Sequence, residues 1–485
     1  METWMWIGLA GGGLWLMLAL YWGCRRRLTD ENIAALLMLA GFLLRLMYVL
    51  YTPVTVRQHD VYRFDAGKGH AGYIFYFYEH GRLPDFAPNS VSQFYHPPLH
   101  HILEALWMRL QTELGVSLAA AEENTQLLTL LYSALCMPVI NGIFTEAQLR
   151  GRARRIPLAI ICFHPTFILM AGSINNDILM TLLTLTAFWM ALRWYRRPSM
   201  GRILLIALAM GCAMMTKFSA SLAAPAIGLL FLLRLASDLQ QNDRPVRRRL
   251  WRRYLGQFAA FALLCCPLGL WWTVYSALVW QVPPGYVPSL SLTSHQYVGM
   301  YPVWRRLLIT GDQLSSVYVA WGDLPGHSYY EYNIFTGLLK TSVFDESTLF
   351  TATGTLGRLG YGFSVLLFIC NIGLIGMAVI AAVLCLHRRR RIVDTSVTAS
   401  VVCLGVVVLL SYISFCFGYP HTCTQNFRYA VPTLLTGCLF LGRWLLSQTE
   451  SRPTRLGRIA AGWTEALTAL FCISSTAVYG LLGLV

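Results

Sequence analysis

Twelve long apolar segments limit the fold of this chain more than any other feature of its sequence. A transmembrane helix needs about 20 mostly apolar residues. Segments of about this length cover residues 4–23, 33–52, 125–147, 156–175, 178–195, 202–216, 219–236, 256–279, 361–386, 395–416, 427–446 and 460–483. Because lipid cannot satisfy exposed backbone groups, such segments cross membranes as helices. The sequence therefore predicts an all-α polytopic membrane protein with about 12 transmembrane helices, built as a single integral membrane domain over residues 1–485.

The basic residues predict which loops face the cytoplasm. They form short arginine clusters between the apolar segments, at residues 25–27, 150–155, 193–202, 244–253, 388–391 and 452–458. With twelve spans and both termini outside, the positive-inside rule places every cluster on the cytoplasmic side. The net charge of +15 then reflects topology and contact with anionic membrane lipids, so nucleic acid is not expected as a partner. The absence of an Asn-x-Ser/Thr sequon favours a bacterial plasma (inner) membrane over a eukaryotic secretory pathway.

This topology leaves two large loops outside, at residues 53–124 and 280–360. The first contains GYIFYFYEHGRL and PLHHILEALWMRLQTEL, which are too polar to span and too apolar to be free linkers. In the second of these segments apolar residues recur at helical spacing, namely Leu99, Ile102, Leu103, Leu106 and Leu110. We therefore expect amphipathic surface helices in the first outer loop, the second of them starting at the Pro97-Pro98 pair.

Titratable side chains are concentrated in the first outer loop. Asp60 follows span two by a few residues, so its carboxylate is placed to accept a proton from an attacking hydroxyl or amine at the outer surface. Asp65 and His96 are the supporting catalytic candidates, and His59 is expected to line the substrate pocket. A solvated loop aspartate and a helix-capping histidine are the alternative interpretations of Asp60 and His96. We expect catalytic chemistry to face outward.

Three cations lie at the outer membrane depth, where charge is costly unless it is paired, solvated or bound to an anion. They are Arg45 in span two, Lys217 after span six and Arg428 at the start of span eleven. A lipid-linked phosphate is a natural ligand for all three, whereas snorkelling to the headgroups would explain any single one. Asn176 and Asp177 at the start of span five would either cap that helix or form a polar wall of the site.

A metal site is the least determined feature of the sequence. His96, His100 and His101, together with His59 or His70, could contribute ligands, but their spacing matches no standard zinc motif. The thirteen cysteines lie mostly within apolar segments and contain no CxxC pair, so they are interpreted as small buried hydrophobes. No cofactor is required by these observations, and a divalent metal is left open.

Several short motifs carry a resemblance to a known superfamily. An outer-loop acid after an early span is followed by HPPL before a surface helix, INNDILMTLLTL at span five, TKFSA, and NFRYAVP near the end. Over about residues 55–435 the chain resembles the polytopic GT-C glycosyltransferases, specifically the branch of protein O-mannosyltransferases and bacterial lipid-A aminoarabinose transferases, which use dolichyl- or undecaprenyl-phosphate sugars. A GT-C-like fold is therefore expected.

The resemblance implies an inverting transfer of a sugar from a polyprenyl-phosphate donor to an extracytoplasmic acceptor. The position of the family's catalytic base is occupied by Asp60, where many members have an Asp-Glu pair and this chain reads His59-Asp60-Val61. Asp60 then acts alone or with Asp65. By motif, Lys217 and Arg428 match the donor-phosphate site, and Tyr429 is expected in the substrate pocket. The resemblance does not specify the sugar, or whether the acceptor is protein, lipid or glycan.

Two other functions remain as alternatives. A twelve-span transporter or lipid flippase has the same helix count, but its ionisable groups usually lie near the bilayer midplane between repeated halves. In this chain the charges cluster in the outer loops, and no repeat is evident. A polysaccharide polymerase or ligase would use the same lipid-linked donors, and would differ by the length of its product.

Overall fold

The structure is a computed structural model that describes residues 3–321, 330–387, 395–450 and 454–485. Its helices are α1 Thr3–Cys24, α2 Asp30–Tyr51, α3 Gly69–His80, α4 Leu99–Glu113, α5 Leu118–Glu123, α6 Gln126–Glu146, α7 Arg152–Phe163, α8 Pro165–Ala171, α9 Asp177–Arg196, α10 Met200–Thr216, α11 Ala224–Gln240, α12 Arg244–Trp280, α13 Val303–Leu307, α14 Ile334–Phe344, α15 Gly354–His387, α16 Thr395–Gly418, α17 Pro432–Glu450 and α18 Arg455–Leu481. Within the described residues, the only β-type pairing is an isolated bridge between Tyr297 and His421.

Short 3-10 helices connect some of these elements. They are Phe64–Ala66, Pro88–Ser90, Phe218–Ala223, Gly311–Leu314, Thr422–Gln425, Phe427–Tyr429 and Leu482–Leu484. Three of them adjoin residues predicted to be functional: the segment after Asp60, the segment after Lys217, and the segment that contains Arg428.

Each of the twelve predicted spans overlaps a helix, and the prediction of an all-α multi-pass membrane protein is confirmed. In the part of the chain that the structure describes, nine helices are long and apolar enough to cross a membrane, or ten if the bent pair α7 and α8 forms one span. The helix α10 is apolar but only 17 residues long. The count of twelve crossings therefore stays a prediction. The arginines at 388–391 and Arg452 lie outside the described residues, as does part of the second outer loop.

The break between α7 and α8 has a local cause in the sequence. His164 has an extended backbone, and its side chain accepts a hydrogen bond from the Thr166 backbone N–H, which caps α8. Pro165 then occupies the first position of α8, where proline needs no hydrogen-bond acceptor for an N–H. The two helices are bent by 42°. The residue after α8 contacts the first outer loop, where the Gln58 side chain donates to the Gly172 carbonyl (2.6 Å).

The helix α4 has the amphipathic character that its sequence predicts, and its polar face points into the protein. Leu106 and Leu110 are exposed, whereas His100, His101 and Glu104 are fully buried. This orientation suits a helix at the membrane surface, because its apolar side chains can contact lipid. The two histidines of α4 are consequently interior groups.

The packing of the helices brings three helix ends and one connecting segment to the same place. The helix α9 packs against α6 and α10, and α10 also packs against α12, while α16 packs against α11 and α17. Asp177 begins α9, Lys217 follows α10 and Arg428 precedes α17. Asp60 lies in the segment between α2 and α3. The ends of these helices surround the cavity described next.

Candidate functional site

A cavity of about 370 Å³ lies where the first outer loop meets the ends of α9, α10 and α16. Its polar lining includes Asp60, Asp177, Lys217, Arg428 and Tyr429. The first outer loop also contributes His70, Gln93, Tyr95 and His96 to the wall. Two carboxylates, two cations and several neutral polar groups thus converge on one cavity of a predominantly apolar protein, the arrangement expected of a ligand site.

The segment that carries Asp60 has an unusual backbone. Arg57, Asp60 and Tyr62 all have φ between +55° and +59°, a conformation that is costly for residues with a Cβ. The N-terminus of α3 holds the segment, because the backbone N–H of His70 donates to the Asp60 carbonyl (3.0 Å) and that of Ala71 donates to the Val61 carbonyl (3.1 Å). The Asp60 side chain remains about half exposed (53%) at the cavity.

Gly69 is the residue that permits this close approach. A Cβ at Gly69 would lie 2.4 Å from both the Val61 carbonyl oxygen and the Tyr62 ring, and φ at this residue is +76°. We expect Gly69→Ala to displace Asp60 and to reduce any turnover that depends on Asp60 by about 10²-fold, the loss that a 1 Å misplacement can cause. Gly67→Ala is the matched control, because φ is +63° there and a Cβ would meet nothing within 4 Å.

Steady-state activity assays on the two glycine variants, with thermal unfolding of each, would separate backbone strain from displacement of the loop. Both variants are expected to lose some stability, but only Gly69→Ala is expected to lose turnover. Equal turnover losses in the two variants would show that the close packing at Gly69 does not position Asp60.

Lys217 lies in the cavity because the start of α9 is bonded to the end of α10. The Asn176 side-chain amide donates to the Thr216 carbonyl (3.0 Å), which fixes the residue before Lys217. The Lys217 ammonium then contacts the buried Asp177 carboxylate at 2.5 Å. The INND and TKFSA motifs therefore meet in space. Asn176 is buried and acts on backbone, whereas Lys217 and Asp177 face the cavity.

Tyr429 separates the two cations of the cavity. The Arg428 guanidinium carbon is 4.9 Å from the Tyr429 ring centroid, and the Lys217 ammonium is 5.3 Å from it. Both distances fall in the range of cation–π attraction. Arg428 also donates to the Tyr429 hydroxyl (2.8 Å), and its Nη2 lies 3.9 Å from the nearer Asp60 carboxylate oxygen. The Arg428 Nε is buried and has no hydrogen-bond partner among the residues described.

Apolar side chains of α16 line the cavity beyond this charged end. Five cavity-lining residues occupy one face of α16, namely Leu404, Val408, Ser411, Tyr412 and Phe415. At 1.5 Å per residue, this stripe extends about 16 Å along the helix. Met180 and Thr184 line the cavity from α9. The cavity is therefore amphiphilic, with its charged groups at one end and an apolar channel at the other.

The four histidines around the cavity are neutral. Burial lowers the pKa of His96 to about 3 and that of His100 to about 4. Burial and neighbouring imidazoles hold the pKa values of His70 and His101 well below the usual range. His70 Nδ1 and His101 Nε2 are 2.9 Å apart, and the His70 and His96 rings are stacked. His70 and His96 therefore offer uncharged polar groups to the cavity.

His59 points away from the cavity and contacts the second outer loop. Its Nε2 is 2.6 Å from the Asp345 carboxylate, and its Nδ1 is 3.7 Å from that of Glu346. Burial and Arg428 lower the pKa of His59, but these two carboxylates raise it more, so the net shift is upward. The Asn426 side-chain amide donates to Asp345 (2.6 Å) and Glu346 (2.9 Å).

The same three titratable residues form a candidate metal-ligand group. One ligand atom each from His59, Asp345 and Glu346 lie within 4.8 Å of one another. One imidazole nitrogen and two carboxylates suit a divalent cation such as zinc. In the ranges that the structure describes, His70, His96, His100 and His101 do not form such a group. Of the histidines considered as ligands from the sequence, His59 belongs to the candidate group, and a bound metal stays a prediction.

Some of the predicted site residues lie elsewhere. Arg45 is fully buried, and its guanidinium donates to Ser133 and to the backbone carbonyls of Gly41, Cys162 and Ile161. It is thus a structural cation that joins α2 to α6 and α7, and it does not line the cavity.

Asp65 also lies away from the cavity. It pairs with Arg63 at 2.9 Å, and the side chains of both residues are more than half exposed. A surface pair of this kind contributes little to stability. Among the acids of the first outer loop, Asp60 lines the cavity, whereas Asp65 contacts Arg63 at the surface.

Sequence reasoning did not single out Asp345, Glu346, Gln93 or Tyr95. Asp345 is 286 positions from its partner His59, so no local pattern relates them. The sequence feature that could have identified Asp345 and Glu346 is that two acids are adjacent in a largely apolar chain. Asn426 was visible only as the first letter of NFRYAVP.

Comparison with protein-family models and with curated proteins finds no match. Among solved structures, the chain is similar to ArnT from Cupriavidus metallidurans bound to undecaprenyl phosphate, with 13% identity, a TM-score of 0.47, and coverage of 93% of this chain and 76% of ArnT. It is also similar to the oligosaccharyltransferase AglB from Archaeoglobus fulgidus in complex with an inhibitory peptide and a dolichol-phosphate, with 12% identity, a TM-score of 0.47 and coverage of 93% of this chain.

The chain spans 55% of the length of the AglB structure. ArnT and AglB are GT-C superfamily glycosyltransferases, the superfamily that the sequence motifs resemble. The function of this chain is inferred from the cavity and its residues.

Proposed function

We propose that this protein is an inverting membrane glycosyltransferase that moves a sugar from a polyprenyl-phosphate donor to an acceptor. The observation that carries the proposal is the amphiphilic cavity, in which Asp60, Arg428 and Lys217 surround one end and the apolar face of α16 extends from the other. A lipid phosphate has the same polarity pattern. The arginine topology of the sequence favours an extracytoplasmic site.

The charged end suits a phosphate leaving group. Arginine and lysine stabilise phosphate oxygens, and arginine can do so with two parallel hydrogen bonds. The unpaired Nε of Arg428 is a buried donor, and such donors call for an acceptor that is absent from the protein itself. A phosphate beside Arg428 and Lys217 would also compete with Asp177 for the Lys217 ammonium. Its lipid tail would lie against α16, which keeps the isoprenoid chain out of water.

In the proposed reaction, the acceptor oxygen or nitrogen attacks the anomeric carbon from the side opposite the phosphate. The Asp60 carboxylate accepts the proton of the attacking group, and the bond between the anomeric carbon and the phosphate oxygen breaks. The electron pair stays on the phosphate, whose developing charge is stabilised by Arg428 and Lys217. A single displacement of this kind inverts the anomeric configuration. The neutral groups of His70 and His96 face the same cavity and are available to the sugar hydroxyls.

These steps require no cofactor, because the two cations neutralise the leaving group. A divalent metal at His59, Asp345 and Glu346 would add positive charge behind the Asp60 segment. The proposed partners are the polyprenyl-phosphate sugar, membrane lipids, and a protein, lipid or glycan acceptor.

The proposal can be tested with purified protein in lipid nanodiscs and a panel of labelled polyprenyl-phosphate sugars, with membranes from cells that lack this protein as the acceptor source. We expect release of free polyprenyl phosphate and transfer of label out of the donor lipid. The Asp60→Asn variant is the catalytic control. Absence of both products for every donor would contradict the proposal.

The same donors distinguish the alternative functions. Movement of intact labelled donor across liposome bilayers, without cleavage of the sugar–phosphate bond, would identify a flippase. A ladder of products that grows by many units would identify a polymerase. We expect cleavage of the sugar–phosphate bond and a product that carries a single added sugar.

A further inference from the structure

The polar junction formed by His59, Asp345, Glu346 and Asn426 lies next to the two residues that the proposed reaction uses most. His59 precedes Asp60 in the chain, and Asn426 is two residues before Arg428. Asp345 and Glu346 belong to the second outer loop and contact both His59 and Asn426. One acidic pair thus connects the segments that carry the base and the phosphate-binding arginine.

The contacts of this junction are specific and partly buried. The His59, Asp345 and Glu346 side chains are only 12%, 19% and 15% exposed. Asn426 is buried, and while its amide bonds the two acids, its side-chain oxygen accepts from the Arg428 backbone N–H at 2.9 Å. Buried charge-assisted hydrogen bonds are stronger and more directional than exposed ones. The junction can therefore fix backbone position on both sides.

Strained backbone on both sides of the junction shows that the surroundings determine this geometry. Asp345 has φ of +55°, and so do Arg57 and Asp60 on the other side of the His59 contact. Non-glycine residues keep such conformations only where neighbouring contacts hold them. The Asp60 segment is held by the α3 N-terminus on one side. On the other side it is held by the His59 junction and by Gln58, whose side chain donates to the Gly172 carbonyl and accepts from the Ile174 N–H.

We propose that the Asp345–Glu346 pair is a positioning site that sets Asp60 and Arg428 3.9 Å apart by holding His59 and Asn426, so that the base and the phosphate cation are assembled together by the second outer loop. This inference rests on the proposed glycosyl transfer. His59, Asp345 and Glu346 do not touch the cavity, and they act through Asp60 and Arg428.

The first test measures whether His59 acts through Asp60. Single-turnover transfer would be measured for His59→Gln, Asp60→Asn and the double variant, with an active polyprenyl-phosphate sugar as the donor. We expect His59→Gln to reduce turnover by about 10²-fold through misplacement of the base, and to cause no further loss in the Asp60→Asn background. Asp65→Asn is the matched control in the same loop. Independent losses that multiply in the double variant would overturn the proposal.

The second test needs no activity. Hydrogen exchange of the full-length protein would be compared between wild type and the Asp345→Asn, Glu346→Gln double variant. We expect faster exchange at the His70 and Ala71 amides, which donate to the Asp60 segment, and at the Arg428 amide. Unchanged exchange at these three amides would overturn the positioning role even if the protein proved not to be a transferase.

Chelation distinguishes the junction from a metal site. We expect transfer by the wild-type protein to survive removal of divalent cations, because the proposed contacts are direct. Loss of transfer on chelation, with recovery on addition of zinc or another divalent cation, would show that His59, Asp345 and Glu346 are metal ligands and would overturn the proposal. If the wild type transfers sugar but the variants do not differ from it, this inference fails and the proposed function stands.

Discussion

Replacement of Asp60 by asparagine is expected to reduce sugar transfer by about 10²- to 10⁴-fold, the range that general-base catalysis contributes. The substitution keeps the size and hydrogen-bonding ability of the side chain but removes its capacity to accept the acceptor's proton. The Asp60 carboxylate is half exposed at the cavity and 3.9 Å from Arg428. The measurement is single-turnover transfer, with binding of undecaprenyl phosphate measured separately. We expect binding to be retained, because Asp60 is not assigned to the phosphate.

Asp65→Asn is the control for this experiment. Asp65 is in the same loop, carries the same charge and pairs with Arg63 at the surface. We expect its turnover to equal that of the wild type. If Asp65→Asn loses as much turnover as Asp60→Asn, the two acids act together, as the family pattern suggests. If Asp60→Asn keeps full activity, Asp60 is not the catalytic base.

Arg428→Gln is expected to reduce turnover by about 10²- to 10³-fold, the cost of removing one preorganised donor from a developing oxyanion. The donor concentration needed for half-maximal rate should also rise, because the same guanidinium binds the ground-state phosphate. Arg428→Lys should recover only part of the loss, since an ammonium cannot make two parallel hydrogen bonds to a phosphate. Steady-state kinetics on both variants checks these expectations.

Arg305→Gln is the matched control, because Arg305 is an exposed arginine of the second outer loop that does not line the cavity. We expect Arg305→Gln to leave both the turnover and the donor concentration for half-maximal rate unchanged. If Arg428→Gln alters acceptor use but leaves donor dependence unchanged, the phosphate is bound elsewhere, and the orientation proposed for the donor is reversed.

The sequence allowed the helical membrane architecture to be predicted because that architecture depends on local composition. Every predicted span overlaps a helix, and α4 begins directly after the Pro97-Pro98 pair. The number of crossings is less determined, since α10 has only 17 residues. Apolar content identifies a buried or lipid-facing helix, but it does not fix whether a short helix crosses the whole bilayer.

Sequence could identify site residues only where their position along a helix set them apart from structural residues of the same chemistry. Lys217 and Arg428 follow or precede helices, and the ends of those helices meet at the cavity. Arg45 has the same chemistry within span two, but backbone carbonyls exposed by the break after α7 accept its hydrogen bonds. The sequence does not reveal that the backbone carbonyls at this break will accept hydrogen bonds from a distant arginine. The pairing of His59 with Asp345 is likewise a product of tertiary structure.

The most direct measurement of the central claim is an experimental structure of the protein with a bound polyprenyl phosphate. We predict that the phosphate contacts Arg428 and Lys217 at the charged end of the cavity, next to Asp60, and that the isoprenoid chain follows Leu404, Val408 and Phe415 along α16. A lipid phosphate bound at another surface, with this cavity free of lipid, would contradict the account.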